Sequence, residues 1–76
     1  MELYNIKEDS YIKIIDDNVL VPVESLEVKK DEIIFFSHMD GMYSYCLDIN
    51  DNIVHIGRFT NVKYSNLDDF KNQIKK

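Results

Sequence analysis

Hydrophobic and polar positions alternate in short runs along most of this chain, with the period of a β-strand and not of a helix. The first run covers residues 11–15; Asp16, Asp17 and Asn18 then give a turn signal, and a second, β-branched run covers 19–23. This pattern predicts an N-terminal hairpin whose second strand lies at a sheet edge or stops near Pro22, because proline has no N–H to give to a ladder. Leu26 and Val28 alternate with Glu27 and Lys29, and Lys30 and Asp31 turn the chain into Ile33, Ile34, Phe35 and Phe36. That last run is of the kind buried on both faces, and it is the expected centre of the core.

Asp40 and Gly41, a pair that tolerates positive φ, separate this strand from another over 42–48, and Asn50 and Asp51 close a hairpin into a strand over 53–58. A two-residue loop there sets Leu47 opposite Val54, Tyr45 opposite Ile56 and Tyr43 opposite Arg58. Ser44, Cys46, His55 and Gly57 then share the other face, and a slip of one residue would exchange the pairings. A short helical turn is expected at 59–61, followed by a last brief strand at 62–64. Ser65 or Asn66 caps a C-terminal helix over 66–75, with Asp68 or Asp69 complementing its dipole and Leu67, Phe70 and Ile74 forming one apolar stripe. So short a helix is marginal alone and must dock, preferably on its own β domain.

The order of these elements over residues 26–64 resembles an SH3-like barrel. The segment Asp40-Gly41-Met42-Tyr43-Ser44-Tyr45-Cys46 is similar to the aromatic-rich third strand of such barrels, and His55-Ile56-Gly57-Arg58-Phe59-Thr60-Asn61-Val62 to the strand, helical turn and final valine that close them. The resemblance implies a mostly β fold: a small SH3-like barrel of about five strands with an N-terminal hairpin and a short C-terminal α-helix, in which Ile56 and Val62 are core positions. Peptide-binding SH3 domains carry a tandem tryptophan and a proline in the helical turn; this chain has no Trp, and Gly57-Arg58 stands where that proline belongs. Recognition of proline-rich ligands is therefore not implied. The chain is also similar to small SH3-like proteins of phages and AT-rich bacteria.

Composition narrows the class of protein. At 76 residues, 45% hydrophobic and 30% charged, with two Gly and one Pro, the chain reads as one globular domain, residues 1–76, with a barrel over 11–64. A domain of this size buries only about 60% of its unfolded surface. The single cysteine, Cys46, cannot form an internal disulfide, which points to a reducing cytoplasm. Neither a signal peptide nor an apolar stretch of about 20 residues is present, so no membrane association is expected. The net charge of −5 opposes long-range attraction to phosphate backbones or anionic lipid.

Little in the chain carries chemistry. Asp48, Asn50 and Asn52 begin like a calcium loop, but Ile53 occupies the position of its turn glycine and Phe59 that of its bidentate glutamate, so a plain hairpin turn is expected. Cys46, His38 and His55 are too few and too widely spaced for structural zinc, and no orienting group accompanies them as a nucleophile and base. The carboxylates fall in turns and at the helix start. No catalytic residue, metal or cofactor is expected.

The aromatic residues are more informative. Tyr43, Tyr45, Arg58, Phe59 and Tyr64 have the composition of an interface hot spot and form the candidate binding surface. The leading expectation is a small acidic protein-binding or regulatory module, in the setting of the resemblance a phage-encoded modulator that occludes the surface of a host protein without chemistry. The alternative is a nucleic-acid-binding barrel in which Tyr43, Tyr45 and Phe59 stack on bases while Arg58 and Lys63 meet phosphates.

Overall fold

A computed structural model describes residues 1–73. The expected place of Ile74 in the helix stripe lies outside the described residues; within them the helix expected over 66–75 is shorter, running from Leu67 to Lys71 with Asn72 as its C-cap.

The fold is mostly β. A 3-10 turn at Leu3–Asn5 precedes five strands, β1 (Ser10–Ile14), β2 (Ile33–Asp40), β3 (Tyr43–Leu47), β4 (Ile53–Val54) and β5 (Val62–Tyr64), and a short helix α1 (Leu67–Lys71) follows. The strands form one antiparallel sheet in the order β4-β3-β2-β1-β5. The longest strand, β2, lies in the middle, as its apolar run predicts: Ile33, Ile34 and Phe36 are buried.

Alternation along the strands sorts the side chains into two faces. One face holds the core, with Ile12 and Ile14 of β1, Ile34 and Phe36 of β2, Cys46 of β3, Val54 of β4 and Val62 of β5. Leu3, Ile6, Val28 and Ile56 complete it from the connections, so Ile56 and Val62 take the core positions expected of them.

The expected N-terminal hairpin does not form. β1 pairs instead with β2 and β5, and residues 15–32 make a long connection without strand structure. The run 19–23 has no place beside β1, because both flanks of that strand are taken, one by β2 and the other by β5. The connection still contributes: Val28 is buried, Leu20 O accepts the Gly57 N–H at 2.8 Å, and Ser25 Oγ accepts the His55 N–H at 3.0 Å. Its two ends are joined by an exposed ion pair, Lys30 Nζ to Asp17 Oδ1 at 3.1 Å, and this pairing raises the lysine pKa.

The β3–β4 register also differs from the expected one, by one residue. Cys46 faces Val54, Leu47 faces Ile53 and Tyr43 bridges to Gly57, where Leu47 with Val54 and Tyr43 with Arg58 were expected. The cause is the loop. Asp48 donates its N–H to Asn52 O at 3.0 Å, leaving a three-residue turn that ends on Asp51 in the left-handed region, at φ 64°. The Asp48 carboxylate holds that turn by accepting the N–H groups of Asn50 and Asn52, each at 2.9 Å, and the Asn52 side-chain amide at 3.1 Å. As a result Ser44 and Cys46 share the core face with Val54 and Ile56, while Tyr45, Leu47, Ile53 and His55 point outward.

The expected helical turn at 59–61 is a single hydrogen-bonded turn centred one residue earlier, with the Thr60 N–H donating to Gly57 O at 3.1 Å. The last strand begins at Val62 as expected. Asn66 caps α1, its Oδ1 accepting the Asp69 N–H at 2.8 Å, and Asp68 and Asp69 occupy the first turn. The helix lies against β2 of its own chain, with the Phe70 ring 5.0 Å from that of Tyr11.

Candidate functional site

The sheet's outward face carries a row of apolar side chains set by strand register. Tyr11 on β1 faces Phe35 on β2, Phe35 faces Leu47 on β3, and Leu47 faces Ile53 on β4. The two ends of this row differ. Over β1 and β2, α1 covers it: Phe70 lies against Tyr11, whose ring is 5.2 Å from that of Phe35. Over β3 and β4 none of the described residues plays that part, and Ile53 is 55% exposed.

Beside this open end stands an aromatic cluster centred on Tyr45. The His38 ring stacks on Tyr45 at 5.1 Å, and the His55 ring meets its edge at 4.7 Å. A bulge between Phe36 and His38 shifts the β2 register and brings His38 opposite Tyr45. His55 is fixed by its ring: Nδ1 lies 2.9 Å from Ser44 O, and because a carbonyl can only accept, Nδ1 is the donor. Ser37, His38, Tyr45, Cys46, Leu47 and Ile53 line a depression of about 190 Å³. That volume suits one large apolar side chain and falls short of the roughly 300–1,000 Å³ of a small-molecule pocket.

The charge along the strands that build this face is one-sided. No Lys or Arg occurs anywhere in residues 31–57, whereas Asp31, Glu32, Asp40, Asp48 and Asp51 do. Asp48 follows Leu47 directly, Asp51 stands two residues before Ile53, and the Asp9 N–H donates to Ser37 O at 3.1 Å.

The five candidate binding residues are engaged in different contacts. Tyr45 belongs to the histidine cluster just described. Tyr43, half-buried on the same strand, sits opposite Gly57. Arg58 and Phe59 join a residue that the sequence reading passed over, Tyr4: the N–H groups of Leu3 and Tyr4 donate to Thr60 O and Arg58 O, and this pairing brings the Tyr4 ring within 5.6 Å of the Phe59 ring. The Arg58 guanidinium lies 5.3 Å from the Tyr4 ring centre and 5.8 Å from that of Phe59, and its Nη1 donates to Gly41 O at 3.3 Å. A hydrogen bond that the Tyr4 phenol donates to the Glu2 carboxylate, together with that carboxylate's negative charge, raises the Tyr4 pKa, with Arg58 acting in the opposite direction. Tyr64 stands apart, its hydroxyl accepting the Lys7 N–H at 3.0 Å.

Cys46 lies on the core face at 1% exposure, with its Sγ 3.2 Å from Ser44 Oγ. Burial pushes the thiol up to about 11, against a smaller lowering by that hydrogen bond, so little thiolate exists near neutral pH. Ser44 is engaged as well: its Oγ donates to Ile56 O at 3.1 Å and accepts the Ile56 N–H at 3.2 Å. The sequence Cys46, His38 and His55 is thus split between faces, and among the described residues no group of three or more His, Cys, Asp or Glu side chains is placed to hold a metal ion. Among the described residues, no helix is long and apolar enough to cross a membrane.

Comparison with known proteins gives no match to a family model, to a curated protein or to a solved structure.

Proposed function

We propose that this chain is a small acidic protein-binding or regulatory module of the SH3-like barrel type, which docks through the outward face of β3 and β4 and covers part of its partner's surface without chemistry. The observation that carries the reading is the half-covered apolar row. Tyr11, whose ring meets that of Phe35, is matched by Phe70 from α1, while half-buried Leu47 continues the same row to Ile53 and, beside it, Tyr45, both of which are exposed. The core lies on the other face of the sheet, so these residues are not needed to complete it. Large aromatic and aliphatic side chains around a depression, rimmed by polar groups, are typical of interface centres.

The barrel part of the proposal rests on five short antiparallel strands, a single turn ahead of the last strand, and the return of β5 to pair with β1. Nucleic-acid binding is the weaker reading. Of its three stacking residues Tyr43 and Tyr45 share one face of β3 while Phe59 packs with Tyr4, Arg58 already contacts Tyr4 and Phe59, and Tyr43 and Tyr45 lie in the stretch that has no Lys or Arg. Affinity capture from host lysate with the native chain and with Ile53→Asp tests the proposal. It expects a protein retained in stoichiometric amount by the native chain and lost from the variant; equal retention by both would contradict it.

A further inference from the structure

We infer that the face formed by Tyr45, Leu47 and Ile53 takes a basic peptide segment of another protein, one large apolar side chain of which enters the depression while flanking Lys or Arg residues meet the surrounding carboxylates. This deepens the protein-binding reading above and rests on it. Three features select that chemistry. The depression of about 190 Å³, lined by Tyr45, Leu47 and Ile53 together with Ser37, His38 and Cys46, holds one side chain, so recognition needs a single anchor. The chain provides its own example of such docking next door, where Phe70 of α1 sits against Tyr11 in the same row.

Charge supplies the third feature. Residues 31–57 contain five carboxylates and no Lys or Arg, so β2, β3, β4 and the two turns that join them carry Asp40, Asp48 and Asp51 and no cationic Lys or Arg. Arg58 reaches Gly41 at the β2–β3 turn, where it is held between Tyr4 and Phe59. An acidic peptide, a nucleic acid or an anionic lipid would meet repulsion at this face; a segment with cations on both sides of its anchor would be drawn to it, and association would weaken as salt rises.

The test is a titration of isotope-labelled protein followed by NMR, with three short synthetic peptides of equal length: Leu-Phe flanked by lysines, Leu-Phe flanked by glutamates, and lysines flanking Gly-Gly. The inference expects saturable shifts at His38, Tyr45, Leu47 and Ile53 with the first peptide alone, and at least tenfold weaker binding to Ile53→Asp, whose fold is checked by its melting temperature. The extra carboxylate distinguishes anchor from charge, since an interaction by charge alone would be strengthened by it. Equal binding of the glutamate peptide would overturn the basic-partner inference while leaving a protein-binding face in place. Equal binding of the Gly-Gly peptide would remove the anchor. Shifts at these residues that grow with protein concentration alone, or that a single-stranded oligonucleotide produces, would assign the face to a second copy or to nucleic acid and overturn the inference. If no peptide perturbs them while the capture experiment still yields a partner lost from Ile53→Asp, the inference fails and the protein-binding reading survives; failure of both would remove the reading itself.

Discussion

Gln73 completes the main-chain pairing of Ile33: the Ile33 N–H donates to Gln73 Oε1 at 2.6 Å, and Gln73 Nε2 donates to Ile33 O at 2.7 Å. β3 ends opposite Phe35 and turns away, so the side-chain amide fills the place that a further β3 residue would take. The same Nε2 donates to Phe70 O at 3.1 Å, which ties the end of the helix to the strand. Gln73→Ala therefore leaves two part-buried polar groups short of partners and is expected to cost about 1–3 kcal/mol. Denaturant unfolding measures that cost, and faster amide exchange at Ile33 should accompany it. Unchanged stability with unchanged exchange would mean that water replaces the amide without loss.

The Cys46 thiol should be inert in the folded protein. Burial raises its pKa from 9.0 to about 11, so a thiol reagent at mildly alkaline pH is expected to label it only after denaturation. The sign of the linked stability follows. Between these two values the folded state holds a proton that the unfolded state has released, so the contribution is complete below pH 9.0 and is lost as pH rises through about 11. Cys46→Ala should flatten that part of the alkaline fall in stability. Prompt labelling of the native protein would contradict the core placement.

Loop geometry gives a separate test of the corrected register. Asp51 alone in this turn has positive φ, and both it and Asn50 are exposed. Asp51→Ala should cost on the order of 1 kcal/mol because of the left-handed backbone, while Asn50→Ala should stay within about 0.5 kcal/mol. A type I′ two-residue turn needs positive φ at both positions, so equal losses at the two sites would restore the register expected from sequence.

Much of the fold was legible because its signals are local. The apolar run through Ile33 and Phe36 locates the central strand, Asp40-Gly41 marks the turn after it, and Asn66 with Asp69 marks the helix start. What local signals do not contain is partner choice. The run 19–23 has a strand's composition, but both flanks of β1 pair with strands far away in sequence, so the hairpin is lost. The outward set of residues depends on whether the turn at Asp48 holds two residues or three, and that one-residue difference moved Leu47 and His55 between expected partners. The Tyr45 cluster was half visible: Tyr45 was singled out, while His38 and His55 were weighed only as ligands or bases beside Cys46. The absence of Lys and Arg from 31–57 was readable throughout and would have pointed to this face. Tyr4 was beyond reach, because its place beside Phe59 depends on pairing between the start of the chain and residues 58–60.

The central claim, that the open half of the outward face is the docking surface, is tested most directly by site-specific photocrosslinking in the native host. A photoreactive amino acid replaces Tyr45 in one variant and Lys63, on β5, in another. The account predicts a discrete protein adduct from position 45 and none from position 63. An adduct from position 63 alone, or none from either position in a folded protein, would contradict it.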